Sequence, residues 1–368
     1  MENKLYGTRL YIHLDKLKKN IDFLLDIAPN SKIIAMVKAN AYGFGDIQIA
    51  KELNSLGINY FGVADFEEGI RLKKNQIKGS IIVMNPGLNN LKIILDYQLE
   101  PVIYNWSMLR KLESIIEDRV ETNSKPIIHL KFNTGMNRWG FDFSDVHDLI
   151  IEIKKIKKLR IGSIYSHLSS ANDLQHDIFT DSQISQFKKI KHLFFQAFQY
   201  KIHSHILNSS AILRHGDYIN DFNYLRLGMM LYGGVPHSNL VSISELRCPI
   251  SDIRVVRSGA SVGYGNNFIA SKEIKVATVP FGYADGLQRQ WGNGVLKFYY
   301  NNKLLPTIGN ISMDSCAIDI SMARNIRVGE EVLYFGNNRP IWSLAKDLNT
   351  ISYEISSTLS SRIKRIYQ

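Results

Sequence analysis

The sequence predicts an α/β protein with an N-terminal (β/α)₈ barrel and a C-terminal, mainly β domain. Between Ile33 and Gly233, short apolar runs alternate with helical patterns, and there are eight such runs. Eight parallel strands separated by helices close a TIM-like barrel. After Val235 the pattern changes to short strands broken by glycine and asparagine. The 368 residues, of which 45% are hydrophobic, suffice for a barrel plus a smaller unit.

Each predicted barrel strand is a short apolar run. In order they are Ile33–Lys38, Tyr60–Asp65, Ser80–Asn85, Pro101–Tyr104, Ile127–Asn133, Ile161–Leu168, Ile202–Asn208 and Tyr224–Gly233. Between them, apolar residues recur every three or four positions, which predicts helices. The helical segments are Asp46–Leu56, Phe66–Gln76, Leu91–Tyr97, Trp106–Arg119, Asp142–Leu159 and Asp181–Tyr200. An open doubly wound sheet is the alternative, but no GxGxxG motif follows the first strand.

The second domain is predicted from strands at Ile274–Pro280, Val295–Tyr300, Leu304–Ile308 and Val332–Phe335. The extended segment Arg9–Leu14 precedes the first helix and is a candidate to pair with this domain. We therefore expect a barrel over residues 1–235 and a β-rich domain over residues 236–368.

Composition restricts the class of protein. The two cysteines, Cys248 and Cys316, have no spacing typical of a metal site or disulfide framework, which is consistent with a reducing compartment. The first twenty residues lack the apolar core of a signal peptide, and no run could span a bilayer. We expect a cytoplasmic protein with no bound metal and no membrane partner.

The net charge of +11 and the isoelectric point near 9.4 raise the question of nucleic-acid binding. The densest basic clusters are Lys154–Arg160 and Arg362–Arg365, whose apolar spacing fits solvated faces of amphipathic helices. No stacking-aromatic motif accompanies them. We expect no nucleic-acid partner.

Lys38 closes the first apolar run and is followed by small residues, an aromatic and two glycines, in the stretch KANAYGFG. Burial disfavours a charged amine and lowers its pKa, which makes it a nucleophile toward carbonyl groups. For a lone lysine at a strand end, the commoner arrangement is a packed stem with its head in water. The polar residues at other predicted strand ends favour a nucleophilic role for Lys38.

Other polar residues also fall at predicted strand ends, where barrels of this kind gather their chemistry. Lys131 to Arg138 follow the fifth run, His167 ends the sixth, Ser209 ends the seventh, and Arg226 with Gly228 lie in the eighth. The loops after strands seven and eight are common phosphate sites. A hydroxyl at Ser209 and close backbone approach at Gly228 suit an anion. A nucleophilic lysine facing a phosphate site points to pyridoxal 5′-phosphate (PLP) as cofactor.

The chain resembles the alanine racemase family over nearly its whole length. The motifs that carry the resemblance are AMVKANAYGFG, LKFNTGMNRWGF, YSHLSSA, LNSSA, RLGMMLYGG, SVGYG, FGYADGLQR, GNISMD and TISYEI. The resemblance implies a PLP enzyme that interconverts L- and D-alanine, with a role in supplying D-alanine for peptidoglycan.

The resemblance also implies roles for individual residues. Lys38 would bind PLP covalently and act as one acid/base group, with Tyr264 as the second on the opposite face of the cofactor. Arg226 would face the pyridine nitrogen, and Arg138 would bind the cofactor phenolic oxygen and the substrate carboxylate. Lys131 matches a lysine that family members often carry as a carbamate, an anion that would hold Arg138.

The remaining implied positions surround the phosphate and the substrate. Cofactor contacts carry over to Tyr42, His167, Ser209, Gly228, Met229 and Tyr353. Substrate contacts carry over to Tyr283, Met313 and Asp314. Tyr264, Tyr283 and Met313 would reach the barrel of a partner subunit, so the resemblance implies a homodimer with shared active sites.

Four alternatives remain open at this stage. A broader amino-acid or serine racemase would have the same fold, and a decarboxylase on a related barrel would need an acid where Arg226 stands. A non-enzymatic PLP carrier would resemble the first half alone. A nucleic-acid binder is indicated only by charge.

Overall fold

The computed structural model describes residues 7–118, 125–323 and 325–368. These residues divide into two compact units. The barrel unit consists of Leu24–Ala41 and Asp46–Gly228, and the second unit consists of residues 7–23, Tyr42–Gly45 and Met229–Gln368. The chain begins with strand β1 (Arg9–Ile12) and helix α1 (Leu14–Ile27).

The barrel unit contains parallel strands in the spatial order β8-β7-β6-β5-β4-β3-β2-β9, eight among the described residues. The strands are β2 (Lys32–Met36), β3 (Tyr60–Val63), β4 (Ser80–Val83), β5 (Glu100–Ile103), β6 (Ile127–Lys131), β7 (Arg160–Tyr165), β8 (His203–His205) and β9 (Tyr224–Leu227). Backbone hydrogen bonds from Asn223 to Ser204 (3.0 Å) and from Arg226 to Leu207 (3.2 Å) link the segments of β8 and β9 and so close the barrel. This confirms the predicted TIM-like barrel.

Helices separate the barrel strands in the chain. They are α2 (Lys38–Tyr42), α3 (Asp46–Ser55), α4 (Phe66–Lys74), α5 (Leu91–Asp96), α6 (Trp106–Glu117), α7 (Val146–Lys155), α8 (Asp177–Ala197) and α9 (Ser209–Arg214). The side chains of Asp65, Asn105 and Asn208 accept a backbone N–H in the first turn of α4, α6 and α9. Such caps satisfy helix donors that have no partner within the helix. The strands read as nearly continuous apolar runs because both of their faces are buried.

The second unit is built on a sheet of nine described strands in the order β11-β12-β15-β14-β13-β16-β10-β1-β17. Its further strands are β10 (Ser244–Pro249), β11 (Asp252–Val256), β12 (Ile274–Val279), β13 (Lys297–Tyr300), β14 (Lys303–Ile308), β15 (Cys316–Asp319), β16 (Glu331–Phe335) and β17 (Lys364–Tyr367). Strand β1 pairs antiparallel with β10 and parallel with β17. Short helices α10 (Ile341–Asp347) and α11 (Ser352–Ser357) complete the unit.

Several predicted bounds were wrong in ways that bear on the site. Strand β2 ends at Met36, so Lys38 lies beyond it, and β9 ends at Leu227, so Gly228 follows the strand. The cluster Arg362–Arg365 enters strand β17 rather than a helix, and Lys154–Arg160 runs from the end of α7 to the start of β7. The end of the predicted helix Trp106–Arg119 lies outside the described residues.

Candidate active site

Lys38 begins an unusual backbone turn. The four residues after it are not glycine, yet Ala39, Asn40, Ala41 and Tyr42 all have φ between 51° and 57°. Helix α2 is therefore a left-handed turn. Left-handed helix costs roughly 1–2 kcal/mol per residue for L-amino acids, because Cβ crowds the following carbonyl oxygen. The surrounding structure must therefore hold this turn in place.

The Glu68 carboxylate holds the turn from the first turn of α4. One of its oxygens accepts a hydrogen bond from the backbone N–H of Ala39 at 2.6 Å, and the other accepts from Ala64 at 2.7 Å. The Ala41 N–H donates to the carbonyl oxygen of Val37 at 2.8 Å. The residue after Lys38 is thus tied to the loop that follows β3.

The Lys38 amine lies in a partly buried, cationic environment. Burial lowers its pKa, the guanidinium groups of Arg138 and Arg226 lower it further, and the Glu68 carboxylate opposes them. A lowered pKa increases the fraction of neutral amine at neutral pH. Neutral amines attack carbonyl carbon, as covalent attachment of an aldehyde cofactor requires.

The loop after β6 brings Lys131, Arg138 and Trp139 together. A bridge between Phe132 and Phe141 closes the loop. At Gly140, φ is 132° and a Cβ atom would lie 2.5 Å from the Asn133 backbone nitrogen, so this closure requires glycine. The Lys131 amine and the Arg138 guanidinium each lie 5.1 Å from the centre of the Trp139 ring.

Lys131 is buried, with 5% of its surface exposed. Burial, together with the positive charges of Arg138, Arg226 and Lys38, lowers the pKa of Lys131 to about 7. A substantial fraction of this amine is then neutral at physiological pH. A neutral amine among cations is suited to becoming an anion by reaction with CO₂.

Arg226, which is 6% exposed, is clamped between two histidines. Its Nη1 lies 2.7 Å from Nδ1 of His205, and its Nη2 lies 2.6 Å from Nδ1 of His167. Burial and the Arg226 charge lower the pKa of both histidines well below the ordinary value. The Arg226 guanidinium also lies 5.1 Å from the centre of the Tyr165 ring.

Ser209 and Gly228 follow neighbouring barrel strands. The Gly228 N–H donates to the Ser209 hydroxyl at 3.3 Å, and Ser209 is the first residue of α9. Both residues are buried. They therefore present a hydroxyl and a backbone amide side by side, as binding of an oxyanion requires.

Tyr42, Met229 and Tyr353 belong to the second unit. The Tyr42 ring packs 5.7 Å from the Tyr353 ring and 5.5 Å from the Tyr232 ring, centre to centre. Met229 is fully buried. These aromatic contacts give the end of the KANAY turn a rigid anchor within this unit.

Tyr264, Tyr283, Met313 and Asp314 also belong to the second unit. The side chains of Tyr264 and Met313 are 73% and 54% exposed, and Tyr283 is 42% exposed. Backbone hydrogen bonds join Tyr283 to Ser312 and Ala284 to Met313, while Asp314 pairs with Arg362 at 2.8 Å. Large exposed apolar side chains near one another are typical of a surface that meets another protein.

Comparison with known proteins decides the family. A family model described as the alanine racemase N-terminal domain matches residues 12–236, and one described as the C-terminal domain matches residues 243–367. The chain belongs to the alanine racemase family. Curated relatives include the alanine racemase of Clostridium kluyveri, 32% identical over 97% of this chain and 93% of that relative. Another is the alanine racemase of Helicobacter pylori strain G27, 33% identical over 95% of this chain and 96% of that relative.

Solved structures of the alanine racemase family match the fold. The Clostridium difficile 630 enzyme has a TM-score of 0.89 at 28% identity, covering 99% of this chain and 96% of that chain. A Bartonella henselae alanine racemase, described with covalently bound pyridoxal phosphate, has a TM-score of 0.89 at 27% identity and covers 99% of this chain and all of that chain.

The barrel unit has the donor set that PLP requires of an alanine racemase. Lys38 supplies a partly buried amine of lowered pKa, Arg226 a fixed cation, and Ser209 with Gly228 a hydroxyl and an amide for an oxyanion. The residues present therefore fit the cofactor.

Three site features escaped the sequence reasoning. Glu68 contacts the lysine turn from another strand-helix connection, Trp139 packs against both cations of its loop, and His205 holds Arg226. The motif LKFNTGMNRWGF already contained Trp139, and His205 lies in a predicted strand. Glu68 carried only the signal of an acidic residue in the first turn of a helix.

Of the helices in the described part of the chain, none has the length and apolar character needed to cross a bilayer. Among the residues with a described position, no group of three or more His, Cys, Asp or Glu side chains is arranged to hold a metal ion.

Proposed function

We propose that this protein is an alanine racemase that interconverts L- and D-alanine with PLP by a two-base mechanism. It is a PLP-dependent isomerase, and in the cell it supplies D-alanine for peptidoglycan. The observation that carries the proposal is the Lys38 amine, whose pKa is lowered by burial and by the charges of two arginines. Both halves of the chain also match the family.

Bound PLP supplies an electron-withdrawing ring that makes the substrate Cα proton acidic. In this proposal the Tyr264 phenolate oxygen removes the proton from L-alanine, and the Lys38 Nζ returns a proton to the opposite face. The reverse reaction exchanges the two roles. A free tyrosine has a pKa near 10, so Tyr264 needs a nearby cation or a hydrogen-bond network to act as a base. Arg226 is the candidate cation, and His167, whose pKa burial and the Arg226 charge lower, is the candidate hydrogen-bond partner.

Arginine side chains define the electrostatics of the proposed reaction. Arg226 keeps its proton at any physiological pH, so it would face the pyridine nitrogen of PLP as a hydrogen-bond donor and would not give that nitrogen a proton. Arg138 binds the substrate carboxylate and the cofactor phenolic oxygen. Lys131, as a carbamate, is the anion that fixes Arg138.

The remaining contacts follow the family pattern. Tyr42, Ser209, Gly228, Met229 and Tyr353 bind the cofactor phosphate region. Tyr283, Met313 and Asp314 line the substrate entrance, with Tyr353 limiting the room beside the substrate side chain. Discrimination of one methylene in such a pocket is worth about 1–3 kcal/mol, so weak turnover of serine is compatible with the proposal.

The active form in this proposal is a homodimer. Its barrel unit supplies Lys38, Arg138 and Arg226 to the cofactor, and its second unit delivers Tyr264, Tyr283 and Met313 to the other subunit. The exposure of these three side chains supports this arrangement. We propose the cytoplasm as location, which suits the unpaired thiols of Cys248 and Cys316.

The test compares wild type with Lys38→Ala, and the control is Lys51→Ala, an exposed lysine on α3. Wild type and control are expected to form D-alanine from L-alanine and to retain PLP covalently after borohydride reduction, as measured by chiral chromatography and intact mass. Lys38→Ala is expected to lose the covalent adduct and nearly all racemization. A Lys38→Ala protein with normal activity would refute the assignment.

The same assays separate the alternative functions. A wild-type protein with the adduct but no turnover of any L-amino acid would be a PLP carrier. Faster turnover of serine than of alanine would identify a broader racemase.

A further inference from the structure

A line of polar side chains, all buried except the partly exposed Glu100, crosses five adjacent barrel strands and ends at Arg226. We call it the barrel relay; its members are Glu100 of β5, His129 of β6, Ser163 of β7, His205 of β8 and Arg226 of β9. His129 lies between Glu100 and Ser163: its Nε2 is 2.8 Å from Glu100 Oε2, and its Nδ1 is 2.7 Å from Ser163 Oγ. His205 lies between Ser163 and Arg226: its Nε2 is 3.0 Å from Ser163 Oγ, and its Nδ1 is 2.7 Å from Arg226 Nη1. Each strand thus contributes one residue.

With one proton on each histidine ring, the chemistry of the two ends sets the direction of every hydrogen bond. A guanidinium has only donors, so His205 Nδ1 must accept, and its single proton lies on Nε2 and points to Ser163 Oγ. The Ser163 hydroxyl then donates to His129 Nδ1. The remaining His129 proton lies on Nε2 and is donated to the Glu100 carboxylate. In this arrangement each ring carries one proton, and His129 donates a hydrogen bond to the Glu100 carboxylate.

Burial strengthens the hydrogen bonds of the barrel relay. Ser163 and His205 are fully buried, and His129 is 4% exposed. Hydrogen bonds that all point the same way polarise one another, and in a low dielectric they are stronger than in water. Burial of Glu100 favours its neutral acid, but the hydrogen bond and electrostatic attraction from His129, with a hydrogen bond from Ser80, outweigh this and hold the pKa of the carboxyl below its ordinary value.

We propose that Glu100 is a positioning residue for Arg226 and acts on it through the one-directional hydrogen bonds of the barrel relay. The carboxylate and the guanidinium together fix the tautomers of His129 and His205, so the Nδ1 lone pair of His205 faces the guanidinium. A buried arginine needs such an acceptor to keep one orientation. The inference rests on the proposed function in one respect, the expected effect of the Arg226 orientation on catalysis.

The first experiment measures the histidine tautomers directly, in full-length protein labelled with ¹⁵N-histidine. The expected long-range ¹H–¹⁵N spectrum shows His129 and His205 each protonated on Nε2 alone. Ser163→Ala is expected to shift the His129 Nδ1 signal toward that of a free acceptor. Glu100→Gln keeps the side-chain shape and removes the charge, and it is expected to shift the ring signals of His205 although that residue lies three strands away.

Ser204→Ala is the matched control, because Ser204 is equally buried on β8 but bonds to Asn223 rather than to a histidine. It is expected to leave both rings unchanged. A proton on Nδ1 of either histidine in wild type, or an unmoved His205 signal in Glu100→Gln, would overturn the proposal. This experiment is valid whether or not the protein racemizes alanine, so it separates failure of the relay from failure of the proposed function.

The second experiment measures kinetics of the PLP-loaded enzyme. Ser163→Ala is expected to lower kcat about two- to tenfold, the range expected for one net hydrogen bond, with KM for alanine unchanged. KM should stay constant because no relay member other than Arg226 is proposed to approach the substrate site. Ser204→Ala should change neither constant. Equal kcat values in Ser163→Ala, Glu100→Gln and wild type would contradict a positioning role.

Discussion

At the residue scale, the site depends on two lysines with different surroundings. Lys38 has the Glu68 carboxylate nearby, which opposes the effect of burial on its pKa. For Lys131 the largest influences are burial and three cations, all of which lower the pKa, to about 7. In the proposed function the same residue type serves two kinds of chemistry, attachment of an aldehyde at Lys38 and capture of CO₂ at Lys131.

We predict that Lys131 forms a carbamate whose amount rises with pH. The neutral amine attacks CO₂, forms an N–C bond and releases one proton. Because the pKa is about 7, the neutral fraction rises as pH increases through this value. The measurement is ¹³C NMR of protein equilibrated with ¹³CO₂ at fixed partial pressure, with a carbamate signal expected to grow between about pH 6 and 8.

Lys131→Ala should remove that signal, and Lys51→Ala, on the exposed face of α3, should retain it. A signal that persists in Lys131→Ala would assign the carbamate to another amine. Wild-type protein without any signal at pH 8 would contradict the prediction.

Residue types near strand ends were predictable from sequence, but their partners were not. Lys38, Lys131 and His167 stood out as polar residues near the ends of apolar runs, and Arg226 stood out inside the eighth run. His129 and Ser163 lie inside runs, where a single polar residue reads as an interruption of the apolar pattern. Their meaning depends on which strands become neighbours, and that is decided by the closed barrel.

At the element scale, the left-handed turn α2 is the feature that local sequence cannot reveal. Alanine and asparagine have no general preference for four successive positive φ angles. The turn is compatible with the fold because Glu68, 29 residues after Ala39 in the chain, accepts a backbone hydrogen bond there. An apolar run followed by KANAY therefore predicts a longer strand than the structure contains.

We predict that Glu68→Gln loosens this turn. An amide has one acceptor oxygen and an NH₂ group, so one of the two backbone N–H groups, at Ala39 or Ala64, loses its partner. Hydrogen bonds to charged groups contribute about 1.5–3 kcal/mol, and we expect a loss of free energy of unfolding in that range. Denaturant titration measures the loss, and PLP titration is expected to show weaker cofactor binding.

The matched control is Glu67→Gln, because Glu67 is exposed and shares the first turn of α4 with Glu68. Both substitutions remove the same charge near the same helix N-terminus, so the helix-dipole contribution cancels in the comparison. Equal effects of the two substitutions would show that the backbone hydrogen bonds contribute nothing.

Element bounds were the weakest part of the sequence prediction, for a physical reason. The predicted strand Tyr224–Gly233 includes buried Met229–Tyr232, which form turns rather than strand. Apolar periodicity reports burial, and a buried turn has the same composition as a buried strand. Strands β10, β11, β15 and β17 were not predicted, because several are short and carry charged residues such as Arg247, Arg254 and Lys364.

At the scale of the whole molecule, the division into a barrel and a β-rich unit follows from a change in the hydrophobic pattern along the chain. The contribution of the first residues to the β-rich unit is less evident from sequence, since four residues of β1 pair with strands more than 230 residues later. Such long-range pairing depends on the register of Leu10 against Leu246 and of Leu10 against Arg365.

The proposed shared active site gives a prediction for mixed dimers. Lys38→Ala and Tyr264→Phe are each expected to be inactive alone, because each removes one of the two acid/base groups. In a heterodimer, one site combines both defects and the other site has neither. Random pairing makes half of the dimers mixed, each with one intact site, so we expect about a quarter of wild-type activity after mixing.

The measurement uses two affinity tags, so that mixed dimers are purified before chiral product analysis. Two differently tagged Lys38→Ala chains are the control and should stay inactive, because every site in that mixture lacks the lysine. Purified mixed dimers without activity would mean that Lys38 and Tyr264 serve the same site from one chain. The exposure of Tyr264 argues against this outcome, because a base that is 73% exposed in one chain requires a covering surface to exclude water from the reaction.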